Sequence, residues 1–296
     1  MLKPSEYAVI ERRGSAGKAA CFLIMALSLW SAPGGWGAEL KPQTLEAWNT
    51  YVRLTEQRIA GELNDGPRFL VADFLGDGES RSIRTLLRKG EVPIRKMKTS
   101  DGNGREIEVK DGMIHHWLGG IFVPDTKLDA LLRWLQDYDR HEQYFKEVEK
   151  SKLLSRQDPT YQIFFRLRRK KVVTVVYNTN HTAVYRYHDA RRVSSRSFTT
   201  RIAEVDNAGA LSEKEKPVGD DSGFLWRLNS YWRFQEDDGG VIVECESLSL
   251  SRAIPNGLGW LISRYVESVP RESLENTLNS VRDGSRKAGG SPKSDR

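Results

Sequence analysis

Gly119–Leu154 reads GGIFVPDTKLDALLRWLQDYDRHEQYFKEVEKSKLL, an apolar run that passes through Val-Pro into an amphipathic segment ending in a Leu-x-x-Tyr-Asp signature. Ile121 to Val123 form a β-run, Pro124 stops it, and Asp125 is placed to cap a helix. In that helix Leu128, Leu131, Leu132, Leu135 and Tyr138 recur at three- and four-residue spacing, the period of one apolar helical face.

Upstream, Thr44 to Leu63 reads as a helix with Leu45, Trp48, Val52, Leu54, Ile59 and Leu63 on one stripe, ended by Asn64-Asp65-Gly66-Pro67. Pro67 to Leu75 and Glu91 to Met97 read as strands, Ile83 to Leu87 fits helix or strand, and Ser100 to Gly104 is a turn. Downstream, Tyr161 to Arg168 alternates Ile163, Phe165 and Leu167 against Gln162, Arg166 and Arg168, the pattern of a half-buried antiparallel strand. Val172 to Tyr187 and Arg192 to Val205 continue the series, reversing at His188-Asp189-Ala190. Asn207 to Gly223 is a polar loop, either a plain surface excursion or a lid.

Phe224 to Ser251 predicts a hairpin with its register. Asp238-Gly239 is a favoured two-residue turn, and centring it pairs Arg233 with Glu244, Tyr231 with Glu246, Trp232 with Cys245 and Phe234 with Val243. One face is then charged and the other largely apolar. The charged face is assigned to the wet exterior, with Arg233 and Glu244 as a cross-strand bridge, and the face of Trp226, Leu228, Trp232 and Phe234 to the core or a cavity. A closing helix carries Leu258, Leu261, Ile262, Tyr265 and Val269, meets Pro270 at a kink or new start, and resumes with Leu274, Leu278 and Val281. The tail after Gly284 reads as disordered.

The strand-Pro-helix opening, the segment LQDYDRHEQYFKEVEKSKLL and the closing ECESLSLSRAIPNGLGWLISRYVESVPRESLENTL together resemble the START-like, or polyketide cyclase and dehydrase-like (SRPBCC), superfamily over about residues 105–284. The resemblance implies an α+β helix-grip fold, in which a curved antiparallel sheet wraps a long C-terminal helix around an apolar cavity. The superfamily includes lipid carriers, quinone-binding proteins, cyclases and hydrolases, so the fold by itself selects no function. Residues 39–104 are read as an N-terminal helix and strands that complete or precede this core, and 285–296 as the tail.

Residues 1–38 combine Arg12, Arg13 and Lys18, an apolar run from Ala19 to Trp30, and small residues up to Ala38, the layout of a secretory signal peptide or, if retained, an anchor. The expected location is therefore periplasmic or secreted. Those residues hold four basic and two acidic side chains, so the net charge of +6 becomes +4 without them. This mild, scattered excess argues against nucleic acid as a partner. The run Arg166, Arg168, Arg169, Lys170, Lys171 is the densest basic patch, either a solvated strand end or a place of transient contact with an anionic membrane surface. Beyond the leader Cys245 stands alone, which leaves no intramolecular disulfide and predicts an inert buried thiol.

Catalytic fingerprints are missing: there is no Gly-x-Ser-x-Gly, Walker loop, dinucleotide glycine motif or His-Glu-x-x-His. His115 and His116 adjoin, but successive strand residues point to opposite faces, so they cannot share one ion. No metal or cofactor is expected, and Asp137 and Tyr138 are read as helix-packing groups. A sheet face bearing Phe165, Tyr177, Trp226, Trp232 and Phe234, with Trp260, Leu261 and Tyr265 on the closing helix, predicts a cavity for a hydrophobic small molecule: a lipid, a quinone or a polyketide. The alternatives are a cyclase- or hydrolase-type enzyme using Glu244, Glu246, Arg233 and Tyr231, which requires that face to line the cavity, and a periplasmic interaction module.

Overall fold

The computed structural model describes residues 38–170, 174–253 and 259–289, with the side chains of 259–267, 288 and 289 outside the description. All of the proposed leader but its last residue, Ala38, therefore lies outside the described residues.

The elements are β1 (Ala38–Glu39), α1 (Pro42–Leu63), α2 (Asp77–Arg88), β2 (Ile94–Lys96), β3 (Gly112–Pro124) and α3 (Leu128–Leu135). Then come β4 (Val148–Gln157), β5 (Thr160–Lys170), β6 (Thr174–Asp189), β7 (Arg192–Asp206), β8 (Lys214–Glu215), β9 (Asp220–Asp221), β10 (Arg227–Asp237), β11 (Gly240–Arg252) and α4 (Gly259–Gly289). The main sheet is antiparallel in the order β2-β3-β11-β10-β7-β6-β5-β4, and β8 pairs with β7. At its outer edge β4 shifts register against β5 twice, between Val148 and Lys150 and between Leu153 and Ser155.

One face of this sheet, the inner face, holds α4. Ile121, Val123, Tyr161, Ile163, Ala183, Tyr185, Val193, Phe234, Val243 and Cys245 pack with Leu274, Leu278 and Val281 of the helix and with the apolar stripe of α3. Six strands contributing to one cluster around one helix make the α+β helix-grip fold. The helix comes in close because Gly119 has no side chain: a Cβ there would meet Leu278 at 2.6 Å. Gly284 does the same under Trp134, where a Cβ would meet the indole at 2.5 Å.

The outer face of β3, β11 and β10 is roofed by α1. Trp48, Tyr51 and Ile59 of that helix pack on Tyr231, Leu248 and Leu250, while Phe69, Leu70 and Ala72 join Leu87 over Phe122 and Ile242. Each such side chain contributes about 1.5–3 kcal/mol on burial, so the roof is an integral part of the fold.

Several local expectations are corrected. Pro67 to Leu75 is not a strand; it ends in a 3-10 turn, Val71–Phe74, whose amides are held by side chains rather than by a ladder. Ile83 to Leu87 resolves as helix. Asp125 sits at φ +54° and turns the chain, and the cap of α3 comes from Glu236, which accepts the Leu128 amide at 3.0 Å. Helix α4 runs through Pro270 as one element and on past Gly284 to Gly289, with Ser285 buried, so the first part of the expected tail is helical. The β10–β11 register is the expected one at every position, from Asp237 against Gly240 to Arg227 against Leu250.

Candidate functional site on the inner face of the sheet

The residues proposed as acid, base or electrophile do come together, on the outer face beneath α1. That face is not wet: Tyr231, Arg233, Glu244 and Glu246 are 5%, 3%, 3% and 1% exposed. The expected Arg233–Glu244 bridge is replaced by contacts to the roof. Arg233 pairs with Glu62 and donates to the Phe69 carbonyl at 2.8 Å. Glu244 accepts the Val71 and Ala72 amides at 2.5 and 3.1 Å, closing the 3-10 turn. Glu246 accepts from Arg58 and lies 2.6 Å from His116 Nε2, while His116 Nδ1 meets the Tyr51 hydroxyl at 3.0 Å. Tyr231 donates to Glu56 at 2.8 Å.

Burial dominates the titration of Glu244, whose carboxyl is pushed up to about 7 despite Arg233 and the two amides. Burial would also raise Glu246, but the hydrogen bond and charge of His116 and the charge of Arg58 outweigh it and hold this carboxyl low. The network joins helix to sheet through partners on both sides, and it meets an open groove only at Glu56, the partner of Tyr231. The open groove on α1, about 450 Å³ and lined by Asn49, Val52, Arg53, Glu56, Gln57 and Ala60, is on the solvent side of the helix.

The inner face divides in two. Toward the β10–β11 turn it is filled by the cluster around α4, including Phe234 at 2% exposure and the hydroxyls of Tyr138 and Tyr185, 2.8 Å apart. Toward the opposite end the side chains shrink. Alternation and register put Trp117, Ser247, Ser230 and Ser197 in one row across four adjacent strands. His115, Ser249, Leu228, Thr199 and His181 form the next row. Trp232, beside the first row, donates its indole N–H to Ser230 at 3.1 Å.

Trp117, Ser197, Thr199, Leu228, Ser230, Trp232 and Ser247 keep intermediate exposure although they face the helix side of the sheet. Small serine side chains therefore stand between two tryptophans along this row, the serine floor. One polar atom of the row, Trp117 Nε1, is buried without a hydrogen-bond partner. Phe165 borders the floor from β5, edge-on to His181, and His141 stacks on Phe165. Burial pushes both histidines down to about 4, so they are neutral near pH 7.

Of the expected cavity residues, Phe165, Tyr177, Trp232 and Phe234 share the inner face. Trp226 does not: it precedes β10, packs with Trp48 and Tyr231 on the outer side, and donates to Asp221 at 3.1 Å. Trp260, Leu261 and Tyr265 belong to α4, but their side chains lie outside the described residues. Cys245 is buried, and burial raises its thiol well above the ordinary range. His115 and His116 point to opposite faces, His115 reaching Ser251 at 3.0 Å.

Sequence reasoning passed over Trp117 and the serines. Their signal was present in Glu244–Ser251, ECESLSLS, where small hydroxyls alternate with leucine. The basic run is also changed by its surroundings: Arg166 pairs with Glu149 and Glu213, Arg168 with Glu149, and Arg169 with Glu147 and Glu272, while Lys171 lies outside the described residues. Among the described residues no helix is long and apolar enough to cross a membrane.

No family model matches this sequence, and no curated protein matches it. Solved structures that are similar in fold include a STAR-related lipid transfer protein from Xanthomonas axonopodis, 16% identical, covering 65% of this chain and 98% of its own, with a TM-score of 0.42. The Zhui aromatase/cyclase from a Streptomyces species is 14% identical over 61% of this chain and 100% of its own, with a TM-score of 0.40. A Thermus thermophilus protein is 15% identical over 60% and 99%, with a TM-score of 0.42.

Proposed function

We propose that this is an exported protein that binds a hydrophobic small molecule, a lipid, a quinone or a polyketide-like compound, between the serine floor and α4. The observation that carries this reading is the change along the inner face, from fully buried side chains to a row of small, partly exposed ones flanked by Trp117 and Trp232. A protein core closes such a gap with larger side chains; a binding site leaves it open, apolar at the walls with a few polar groups inside. Binding is preferred to turnover by Glu244, Glu246, Arg233 and Tyr231, because those four face the opposite side of the sheet. Export rests on the pattern of residues 1–38 alone.

Native mass spectrometry of protein taken from the exported fraction, followed by denaturing extraction, tests both parts. The expected result is a polypeptide lacking about the first 38 residues, with a reproducible adduct of lipid or quinone size. A bare protein that also takes up no added lipid or aromatic ligand would overturn the binding reading, and a retained leader on protein confined to the cytoplasm would overturn export.

A further inference from the structure

Residues 217–223 form a strap that holds the N-terminal strand. In the β1–β9 ribbon Ala38 faces Asp221 and Glu39 faces Asp220, and the Leu40 amide donates to the Gly219 carbonyl at 2.8 Å. The approach is close: a Cβ on Gly223 would meet that of Ala38 at 2.9 Å. Ala38 and Leu40, so held, pack with the cluster of Trp48 and Trp226.

Two buried carboxylates anchor the strap, Glu204 of β7 and its own Asp221, 6% and 3% exposed. Glu204 is fully engaged, accepting the Ser222 amide and hydroxyl at 3.0 and 2.7 Å and pairing with Lys216 at 2.6 Å. Asp221 is half engaged. Its Oδ1 accepts the Gly223 amide at 2.6 Å and the Trp226 indole N–H at 3.1 Å, while Oδ2 is buried without a partner. Lys216 is occupied by Glu204 and the Ser222 hydroxyl. Arg252 of β11 is a second cation whose charge reaches both carboxylates, and Glu39 and Asp220 on the ribbon are exposed. The Tyr177 phenol of β6 stands near the pair, and burial, then the two carboxylates, push it up, so it stays neutral.

An ionised Asp221 carries charge on a dry, unpartnered oxygen near a second carboxylate, and opening the strap hydrates it; a neutral Asp221 makes no such demand. We propose that the strap is a proton-operated latch, gripping β1 while Asp221 is protonated and loosening as Asp221 ionises, so that acidity sets how firmly the junction between the expected leader and the domain is held.

The direction follows from the same groups. Burial, with the charge of Glu204, raises the Asp221 carboxyl from 3.8 to about 6 against the Gly223 amide, the Trp226 indole and Lys216. The closed strap therefore binds the proton more tightly than the open one, and its stabilising share, complete below about pH 3.8, is lost as pH rises through about 6. From pH 5 to pH 8 this linkage is worth about tenfold in the opening equilibrium.

Hydrogen–deuterium exchange of the full chain, read by mass spectrometry at pH 5 and pH 8 and corrected for the intrinsic pH dependence of amide exchange, tests this. Peptides covering residues 38–41 and 217–225 should lose about tenfold in protection at pH 8. Glu244→Gln, which removes the other raised carboxyl, should keep that loss, and Asp221→Asn should abolish it. Equal protection at both pH values in Glu244→Gln overturns the latch, as does an undiminished loss in Asp221→Asn or a loss in Glu244→Gln that is as large in residues 274–281 as in the strap. A strap left unprotected at both values by Asn removes that arm only, and the Glu244→Gln comparison then upholds or overturns the latch by itself.

Discussion

The two faces of the sheet both bury polar groups, but under opposite conditions. On the outer face, Arg233, Glu244, Glu246 and His116 meet partners from α1 and the 3-10 turn. On the inner face, Trp117 Nε1 has none, and the serines beside Trp117 stay partly exposed. Charge and burial alone would nominate the outer cluster as the active centre. Partners reverse that choice: apart from Glu246 Oε2, which is buried without one, the outer groups are held by the fold itself, whereas the inner row is held by few of its neighbours.

The comparison breaks most visibly if the outer network proves dispensable. Glu246→Ala takes the shared acceptor from buried His116 and from Arg58, which is one-third exposed and keeps Glu62, and should cost about 1–3 kcal/mol in urea unfolding, with the remaining folded protein binding ligand as before. Lost ligand affinity at unchanged stability would exchange the roles of the two faces. Next in size, Gly119→Val should lower stability by about 1–3 kcal/mol, because its side chain would overlap Leu278 and push α4 off β3.

Glu244 sharpens the contrast through pH. Its carboxyl is raised from 4.5 to about 7 in the folded state, so between those values the folded protein binds more protons than the unfolded one. The stabilising share of that group is complete below about pH 4.5 and is lost as pH rises through about 7. Glu244→Gln cannot ionise and should therefore gain on the wild type by about 1–3 kcal/mol between pH 5 and pH 8, measured by parallel urea titrations. A gap that stays constant across that range would mean that Glu244 is charged throughout. The smallest effect belongs to the floor: Ser247→Ala should shift stability by less than about 0.5 kcal/mol, its consequence appearing only in ligand binding.

The hairpin register was legible because Asp238-Gly239 and the alternation around it are local. What covers each face was not. Alternation tells that Arg233 and Glu244 lie opposite Trp232 and Phe234; it does not tell that a helix from residues 42–63 will lie over them. The same limit explains Trp226, whose strand spacing suggested the inner face until the chain before Arg227 turned it outward toward Asp221. Helix α3 was found but its cap was not, since Glu236 is far along the chain from Leu128. The serine floor was visible as a sequence rhythm, yet small residues attract less notice than aromatic ones when a cavity is sought, although they are what leaves the space.

The clamp between α1 and the last hairpin has a consequence in time. Arg58 and Glu246 are 188 positions apart, and Val71 and Glu244 are 173 apart. Contacts of such sequence separation close slowly, because a long loop must be ordered before they form. The first helix of this domain therefore waits, its apolar stripe uncovered, until the strands at the other end of the chain have been made.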